Sequence, residues 1–339
     1  MTPNSSTLQI STRPGPGFES DCSMKLNVGF VGFDGTESKR AIPAIHQVKE
    51  AQGIDGDMNV LLRSPHARAK AMLRKFTRMC YVRAFLTDEK KNIEIADKIK
   101  EDLGKEFFFG QENYDRFLKA APRLIQCTSC NTTSLCRAVL AAKPLGLRAV
   151  LGNLDRRSGD PQNIVKMSPN AIEFGRGVGH QGKDAATVFK DVKFSIRASK
   201  VPITMPHVHQ LNFIFEGEQE PEMLLKQLAK TRRVVIIPYD DAGRKHEWTG
   251  EILEAFSSGF ERPLSPEIFE LLFSDAIIPF ELGDFTIMQT VMLVEQMSVP
   301  VPNYAEAYLL FCGFSGERVQ SSVDKALGVV HGVWPDGLA

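Results

Sequence analysis

The stretch Met24-Lys25-Leu26-Asn27-Val28-Gly29-Phe30-Val31-Gly32-Phe33-Asp34-Gly35-Thr36-Glu37-Ser38-Lys39-Arg40 decides the fold class. Leu26, Val28, Phe30 and Val31 read as a buried strand over 25–33, and the run ends in a turn that contains glycine. A helical stretch follows over 37–51, a second strand over 58–62 and a third over 79–86. The segment 88–103 is helical, with Ile95, Ile99 and Leu103 on one face, and a short strand follows over 123–128. Strand and helix alternate throughout this half, which argues a parallel sheet with crossover helices.

Working outward, the second half reads differently. Strands are expected over 147–154, 192–198, 208–215, 234–238, 275–281 and 285–294. Helices fall between only some of them, over 221–230, 247–257 and 266–272. Runs of strands without regular crossovers imply an antiparallel or mixed sheet with helices on one face. The stretch 302–330 is helical in two pieces broken at Gly313. At the other end, Arg13-Pro14-Gly15-Pro16-Gly17 cannot build regular structure, so residues 1–23 are expected to be a disordered tail. A start at Met24 would give the ordered domain without it.

Composition excludes several classes. The 339 residues suffice for two domains. Lys plus Arg equals Asp plus Glu at 41 each, so no overall charge points to nucleic acid or an anionic membrane. No stretch approaches the roughly 20 apolar residues that span a bilayer, and the N-terminus lacks a signal-peptide pattern. The six cysteines (Cys22, Cys80, Cys127, Cys130, Cys136 and Cys312) are too few for a disulfide framework in a chain this long. Free thiols in a reducing cytoplasm are the expectation.

Chemistry concentrates in Cys127-Thr128-Ser129-Cys130-Asn131-Thr132-Thr133-Ser134-Leu135-Cys136-Arg137. A strand ends near Thr128 and a helix begins near Asn131, with Ser, Asn and Thr as N-cap types at the junction. Cys130 therefore sits at the positive end of a helix dipole, which favours thiolate, the nucleophilic form. First-turn N–H groups can hold an oxyanion formed on an attacked carbonyl. Cys127 and Cys130 also form a C-x-x-C pair, but there is no second pair to complete a zinc site, so no metal is expected. His207 and His209 lie two apart on a strand and so share a face.

These residues resemble a known family. Ser129-Cys130-Asn131-Thr132-Thr133 followed by Leu135-Cys136-Arg137 is similar to the nucleophile motif of the archaeal-type glyceraldehyde-3-phosphate dehydrogenases. Arg156-Arg157-Ser158-Gly159-Asp160-Pro161 resembles that family's paired-arginine loop. His180-Gln181-Gly182-Lys183-Asp184 resembles its His-His-Gly-x-Asp loop, and Met205-Pro206-His207-Val208-His209 its Met-His-x-His strand. Asp240-Asp241-Ala242-Gly243, Met288-Gln289-Thr290-Val291 and Val301-Pro302 also have counterparts. The likeness covers about 124–330 well and the first hundred residues poorly.

The resemblance implies an α/β fold: a Rossmann-like parallel-sheet domain plus an α+β catalytic domain with a mixed or antiparallel sheet. The expected boundaries are a shortened dinucleotide-binding domain at 24–129, a catalytic domain at 130–301, and C-terminal helices at 302–339 returning to the first domain. It implies Cys130 as nucleophile, with His209 preferred over His207 as base. Ser129, Asn131, Thr132, Arg157, His180, Gln181 and Gly182 would bind a small phosphorylated aldehyde and inorganic phosphate. Gln181 stands where the family has a second histidine and cannot carry charge. A cytoplasmic homotetramer is implied, without nucleic-acid or membrane partners.

A nicotinamide cofactor is implied as well. Gly32, Gly35, Thr36, Glu37, Lys39, Arg63, Gly110, Arg157 and Gln289 are its candidate binding residues. The turn departs from the family pattern through the extra Asp34, Glu37 in place of an apolar residue and Ser38 in place of a glycine. Two carboxylates near a diphosphate are each unfavourable by about 1 kcal/mol. The basic run Arg63-Ser64-Pro65-His66-Ala67-Arg68-Ala69-Lys70 favours NADP over NAD, since an acidic residue there would select NAD. Two other readings stay open: the same thioester chemistry on another aldehyde or acyl phosphate, and a non-catalytic relative that has lost dinucleotide binding.

Overall fold

The structure is a computed structural model. It describes residues 8–11, 26–31, 38–61, 67–82, 84–86, 94–95, 97–99, 102–158, 169–175, 177–241, 244–245, 247–258, 267–334 and 337–338. Gly32, Gly35, Thr36, Glu37 and Arg63 lie outside the described residues, as does most of the helix expected over 88–103.

The chain divides into two compact units, one of residues 1–129 and 301–327, the other of 130–300 and 328–339. In the first, β1 (Leu8–Ser11), β2 (Leu26–Val31), β3 (Gly56–Leu61), β4 (Ala84–Leu86) and β5 (Leu124–Gln126) form a sheet in the order β4-β3-β2-β1-β5. β2, β3 and β4 pair in parallel, as alternation requires. α1 (Ser38–Ala51) crosses from β2 to β3 and buries Ala41, Ile42, Ala44, Ile45 and Val48, one stripe of a 3.6-residue period. α2 (Ala67–Arg78) does the same through Ala69, Leu73 and Phe76.

The tail expected at 1–23 is corrected in part. Leu8–Ser11 is a strand, antiparallel to both β2 and β5. Without it two rows of backbone N–H and C=O groups would face an empty slot in the sheet. The third strand begins only at Ala84, because Met79–Cys80 is a turn with Cys80 at φ 58°. α3 (Gly110–Ala120), absent from the sequence reading, precedes β5.

The second unit opens on α4 (Cys130–Ala142). Its sheet has nine strands among the described residues. The long ones are β6 (Leu147–Arg157), β7 (Lys193–Val201), β8 (His207–Glu216) and, further along, Phe285–Val294. β8 is antiparallel to both β6 and Phe285–Val294, while β7 is parallel to β6, so the sheet is mixed. α4 packs between α5 (His180–Val188) and α6 (Pro221–Lys230) in a helical layer on one face. On β8, His207, His209, Leu211, Phe213 and Phe215 are buried while Gln210 is exposed.

One expected helix is a strand. Leu271–Ser274 falls within or beside 266–272 and runs parallel to Val234–Ile237. Ile268, Phe269, Leu271, Leu272 and Phe273 are all buried, and a short apolar run does not distinguish a central strand from a helix. The helices Val301–Phe311 and Gly316–Leu327 complete the first unit. Among the described residues no helix is long and apolar enough to cross a membrane.

Arg137 anchors the nucleophile helix. It is fully buried, and it donates through Nη1 to Phe269 O (2.6 Å) and through Nη2 to Val299 O (2.9 Å). Arg137→Leu should destabilise the fold by about 2–4 kcal/mol, because two buried carbonyls lose charge-assisted donors. A lowered urea midpoint at unchanged slope is the expected result; an unchanged midpoint would show the anchor to be dispensable.

Candidate active site

Cys130 is the first residue of α4, is almost fully buried and is in no disulfide. β5 ends at Gln126, and α4 starts four residues later at Cys130 itself. Asn131 Nδ2 donates to Cys130 Sγ at 3.5 Å. The other end of that carboxamide, Oδ1, lies 2.9 Å from His209 Nε2. Oδ1 carries no hydrogen, so the imidazole is the donor and holds its proton on Nε2. Nδ1 of the same ring lies 3.4 Å from Ser134 Oγ. Ser134 is one helical turn after Cys130 and also donates to Asn131 O at 2.9 Å. Sulfur, carboxamide and imidazole thus form one hydrogen-bonded line, with the Ser134 hydroxyl close to its far end.

His207 shares the buried face but is tied elsewhere. Its Nδ1 accepts the backbone N–H of Arg157 at 3.0 Å, which leaves the proton on Nε2 of a neutral ring. Burial holds both imidazoles below the ordinary histidine range. His209 is lowered to about 3, first by desolvation and then by Arg156. His207 is lowered by desolvation, then by His209, Arg157 and Arg156. At neutral pH both rings are uncharged, so the sulfur faces no imidazolium. Stabilisation of a thiolate falls to the helix terminus and the Asn131 amide.

The paired arginines separate. Arg157 is buried, and its Nη1 donates to Thr204 O at 3.2 Å. Arg156 Nε is buried without a hydrogen-bond partner among the described residues, and Arg156 is the charge that acts on both histidines. The resemblance pointed to Arg157 of the pair; in the structure Arg157 is tied to the Thr204 carbonyl, and Arg156 is the residue whose charge reaches both imidazoles. Ser129 is half-buried beside Cys130, and Thr132 is fully buried within the helix.

α5 carries the second candidate loop. His180 opens it and its Nδ1 is 2.8 Å from Asp184 Oδ2. Gln181 is buried with Oε1 unpartnered among the described residues. Gly182 serves packing: a Cβ there would meet Ile196 and Phe194 on β7 at 3.2 Å.

Gln289 is exposed on the face of the sheet opposite the histidines: Met292 pairs with His209, and 289 has the other parity. Gly110 is buried, and its N–H already donates to Asn303 Oδ1 at 2.8 Å. Cys127 of the C-x-x-C pair is fully buried, and desolvation, with Glu306, pushes its thiol well up. It stays protonated and does not act as a second nucleophile. Among the described residues no group of His, Cys, Asp or Glu is arranged to hold a metal ion.

Fold and site together define a class: a two-unit α/β chain with a cysteine at a helix start, linked through a carboxamide to a buried strand histidine. Known proteins share part of this chain's sequence. Glyceraldehyde-3-phosphate dehydrogenase of Methanopyrus kandleri is 29% identical over 230 residues, covering 66% of this chain and 63% of that protein. Glyceraldehyde-3-phosphate dehydrogenase 2 of Methanosarcina acetivorans is 29% identical over 210 residues, 60% of each chain. The Pyrobaculum calidifontis glyceraldehyde-3-phosphate dehydrogenase is 29% identical over 216 residues, 61% of this chain and 58% of that one. Over about three fifths of its length the chain is similar to archaeal-type glyceraldehyde-3-phosphate dehydrogenases. It spans about three fifths of the length of these relatives. No family model matches it. In fold it is similar to aspartate semialdehyde dehydrogenase II of Vibrio cholerae, with TM-score 0.53 at 9% identity over 84% of this chain and 98% of that one. The same enzyme complexed with ASA gives TM-score 0.55 at 9% identity over 86% and 99%.

The neutral histidines set a pH dependence. Each is protonated in the unfolded chain below about 6.5 but not in the folded one, so protons favour unfolding. Stability should fall as pH drops below about 6.5, and for His209 the loss continues to about pH 3. The slope is about 1.4 kcal/mol per pH unit per histidine. Chemical denaturation between pH 7 and pH 5 should show it, and His209→Gln should have a shallower slope. Equal slopes would mean that His209 is protonated in the folded protein.

Proposed function

We propose that the chain is an NAD(P)-dependent, phosphorylating aldehyde dehydrogenase acting on glyceraldehyde 3-phosphate, with Cys130 as the nucleophile. The observation that carries this reading is the hydrogen-bonded line from Cys130 Sγ through Asn131 to His209 at the first residue of α4. Sγ adds to the aldehyde carbon, a C–S bond forms, and the carbonyl pair moves to oxygen. N–H groups of the first turn, which have no partner inside the helix, stabilise that oxygen. A proton from water converts this alkoxide to the hemithioacetal hydroxyl, which gives that proton up to His209 as the hydride leaves carbon. Nε2 becomes the acceptor when the ring's hydrogen moves to Nδ1, facing Ser134, and Asn131 turns its amide. When bound, a nicotinamide dinucleotide supplies the hydride acceptor that converts the hemithioacetal to a thioester. Inorganic phosphate, steered by Arg156, attacks the thioester and releases the acyl phosphate with the sulfur restored as thiolate.

The first unit fits a dinucleotide in one respect. β2–α1–β3 is a parallel crossover, and the first turn of α1 has no acidic residue but carries half-buried Lys39 and Arg40. These two cations would hold the diphosphate. Half-buried Lys70 on α2 continues the basic run that favours NADP.

A second reading keeps the thioester chemistry and changes the substrate. Gln181 supports it, because a neutral side chain replaces a histidine of the family pattern and phosphate loses one cationic partner.

Cys130→Ser should abolish hydride transfer while the unfolding transition is retained. Arg156→Ala should raise KM for glyceraldehyde 3-phosphate about 10- to 100-fold, the loss of one or two charge-assisted bonds, with less effect from Arg157→Ala. Steady-state kinetics on the two variants, with an unphosphorylated semialdehyde as a parallel substrate, decides between the readings. Turnover by Cys130→Ser near the wild-type rate rejects both.

A further inference from the structure

Asn303 lies in the helix Val301–Phe311 and is almost fully buried. Its carboxamide is used at both ends. Oδ1 accepts Gly110 N–H at 2.8 Å. Nδ2 donates to Phe108 O at 3.0 Å and to Thr128 Oγ1 at 3.2 Å. All four residues belong to the first unit. Phe108 O also accepts Thr128 N–H at 3.2 Å, and Phe108 N–H donates to Gln126 O at 2.8 Å. One side chain thus ties the segment 108–110 to the last residues of the β5 run. Thr128 is fully buried and stands two peptide links before Cys130.

The surroundings leave this clamp little freedom. From the other side Asn113 accepts Phe109 N–H at 2.9 Å and donates to Phe107 O at 2.8 Å. One turn after Asn303, the Glu306 carboxylate lies where a Cβ of residue 110 would be, so any larger residue there would displace it. Phe109, at the N-cap of α3, makes no side-chain cap. Asn303 could serve only to satisfy Gly110 N–H at that helix start. Its two donors, however, go to Phe108 and Thr128, which a capping role does not require.

We propose that Asn303 is a positioning residue for the nucleophile: it fixes Thr128, and through Ser129 it sets where the sulfur of Cys130 meets the start of α4. This rests on Cys130 as the reacting group. Sγ reaches Asn131 Nδ2 at 3.5 Å, an ordinary length for a sulfur acceptor, and that contact follows the backbone at residue 130.

Two variants separate positioning from capping. Thr128→Val keeps shape and removes only the hydroxyl that accepts from Asn303. Asn303→Asp keeps the acceptor for Gly110 N–H and removes both donors. In the full-length protein, site-resolved alkylation of Cys130 by iodoacetamide is followed across pH, beside alkylation of Cys80, unfolding temperature, kcat and KM. Both variants should slow Cys130 alkylation about tenfold and move its pH profile upward, with kcat falling in step and KM unchanged. Cys80 labelling should stay as in the wild type. Cys130 labelled at the wild-type rate in a folded Thr128→Val variant, even with a lowered unfolding temperature, overturns the proposal. Should Thr128→Val not fold, the same readout on Asn303→Asp decides it. If the wild type transfers no hydride yet Cys130 labelling drops in the variants, the dehydrogenase reading fails and the positioning role stands.

Discussion

One carboxamide holds the site together. Asn131 donates to the sulfur of Cys130 and accepts from the imidazole of His209, so neither group can turn without disturbing the other. That bridge exists only because α4 starts at Cys130 and because β8 presents His209 on the face that α4 covers. Arg137 secures the helix further along through two carbonyls of the same unit. The electrostatics follow from burial. With the His209 imidazole neutral, a thiolate here depends on peptide dipoles and one amide N–H, not on an ion pair. A site of this kind is sensitive to small displacements, which gives the clamp at Thr128 its importance.

Much of this was legible in the sequence because it is local. A strand, a run of Ser, Asn and Thr, and then a helix announce themselves within about a dozen residues, and that pattern placed Cys130 at a helix start. His207 and His209 share a face because strand side chains alternate, whatever the sheet around them. Ser134 could have been found by the same logic, one turn beyond Cys130. The mixed sheet was visible as strands without crossovers, and the parallel part of the first sheet as strands alternating with helices.

What could not be read depends on distant partners. Nothing local says which guanidinium of the Arg156–Arg157 pair the Thr204 carbonyl will take. The face on which Gln289 stands follows from a register that pairs Met292 with His209, set between strands about 80 residues apart. Leu271–Ser274 reads as helix or strand until Val234–Ile237 and Phe285–Val294 enclose it. Asn303 is 175 residues from Thr128, and no spacing rule joins them. Leu8–Ser11 is short and follows no apolar run; its place comes from the gap it fills between β2 and β5.

The central claim is that the start of α4 makes Cys130 a reactive thiol despite its burial. Competitive labelling of the native wild-type protein by iodoacetamide at neutral pH, read out by mass spectrometry at each cysteine, tests it most directly. Cys80 is exposed and serves as the internal reference. The account predicts that Cys130 is modified faster than Cys80. Modification of Cys130 at the same rate as Cys80, or more slowly, would contradict it.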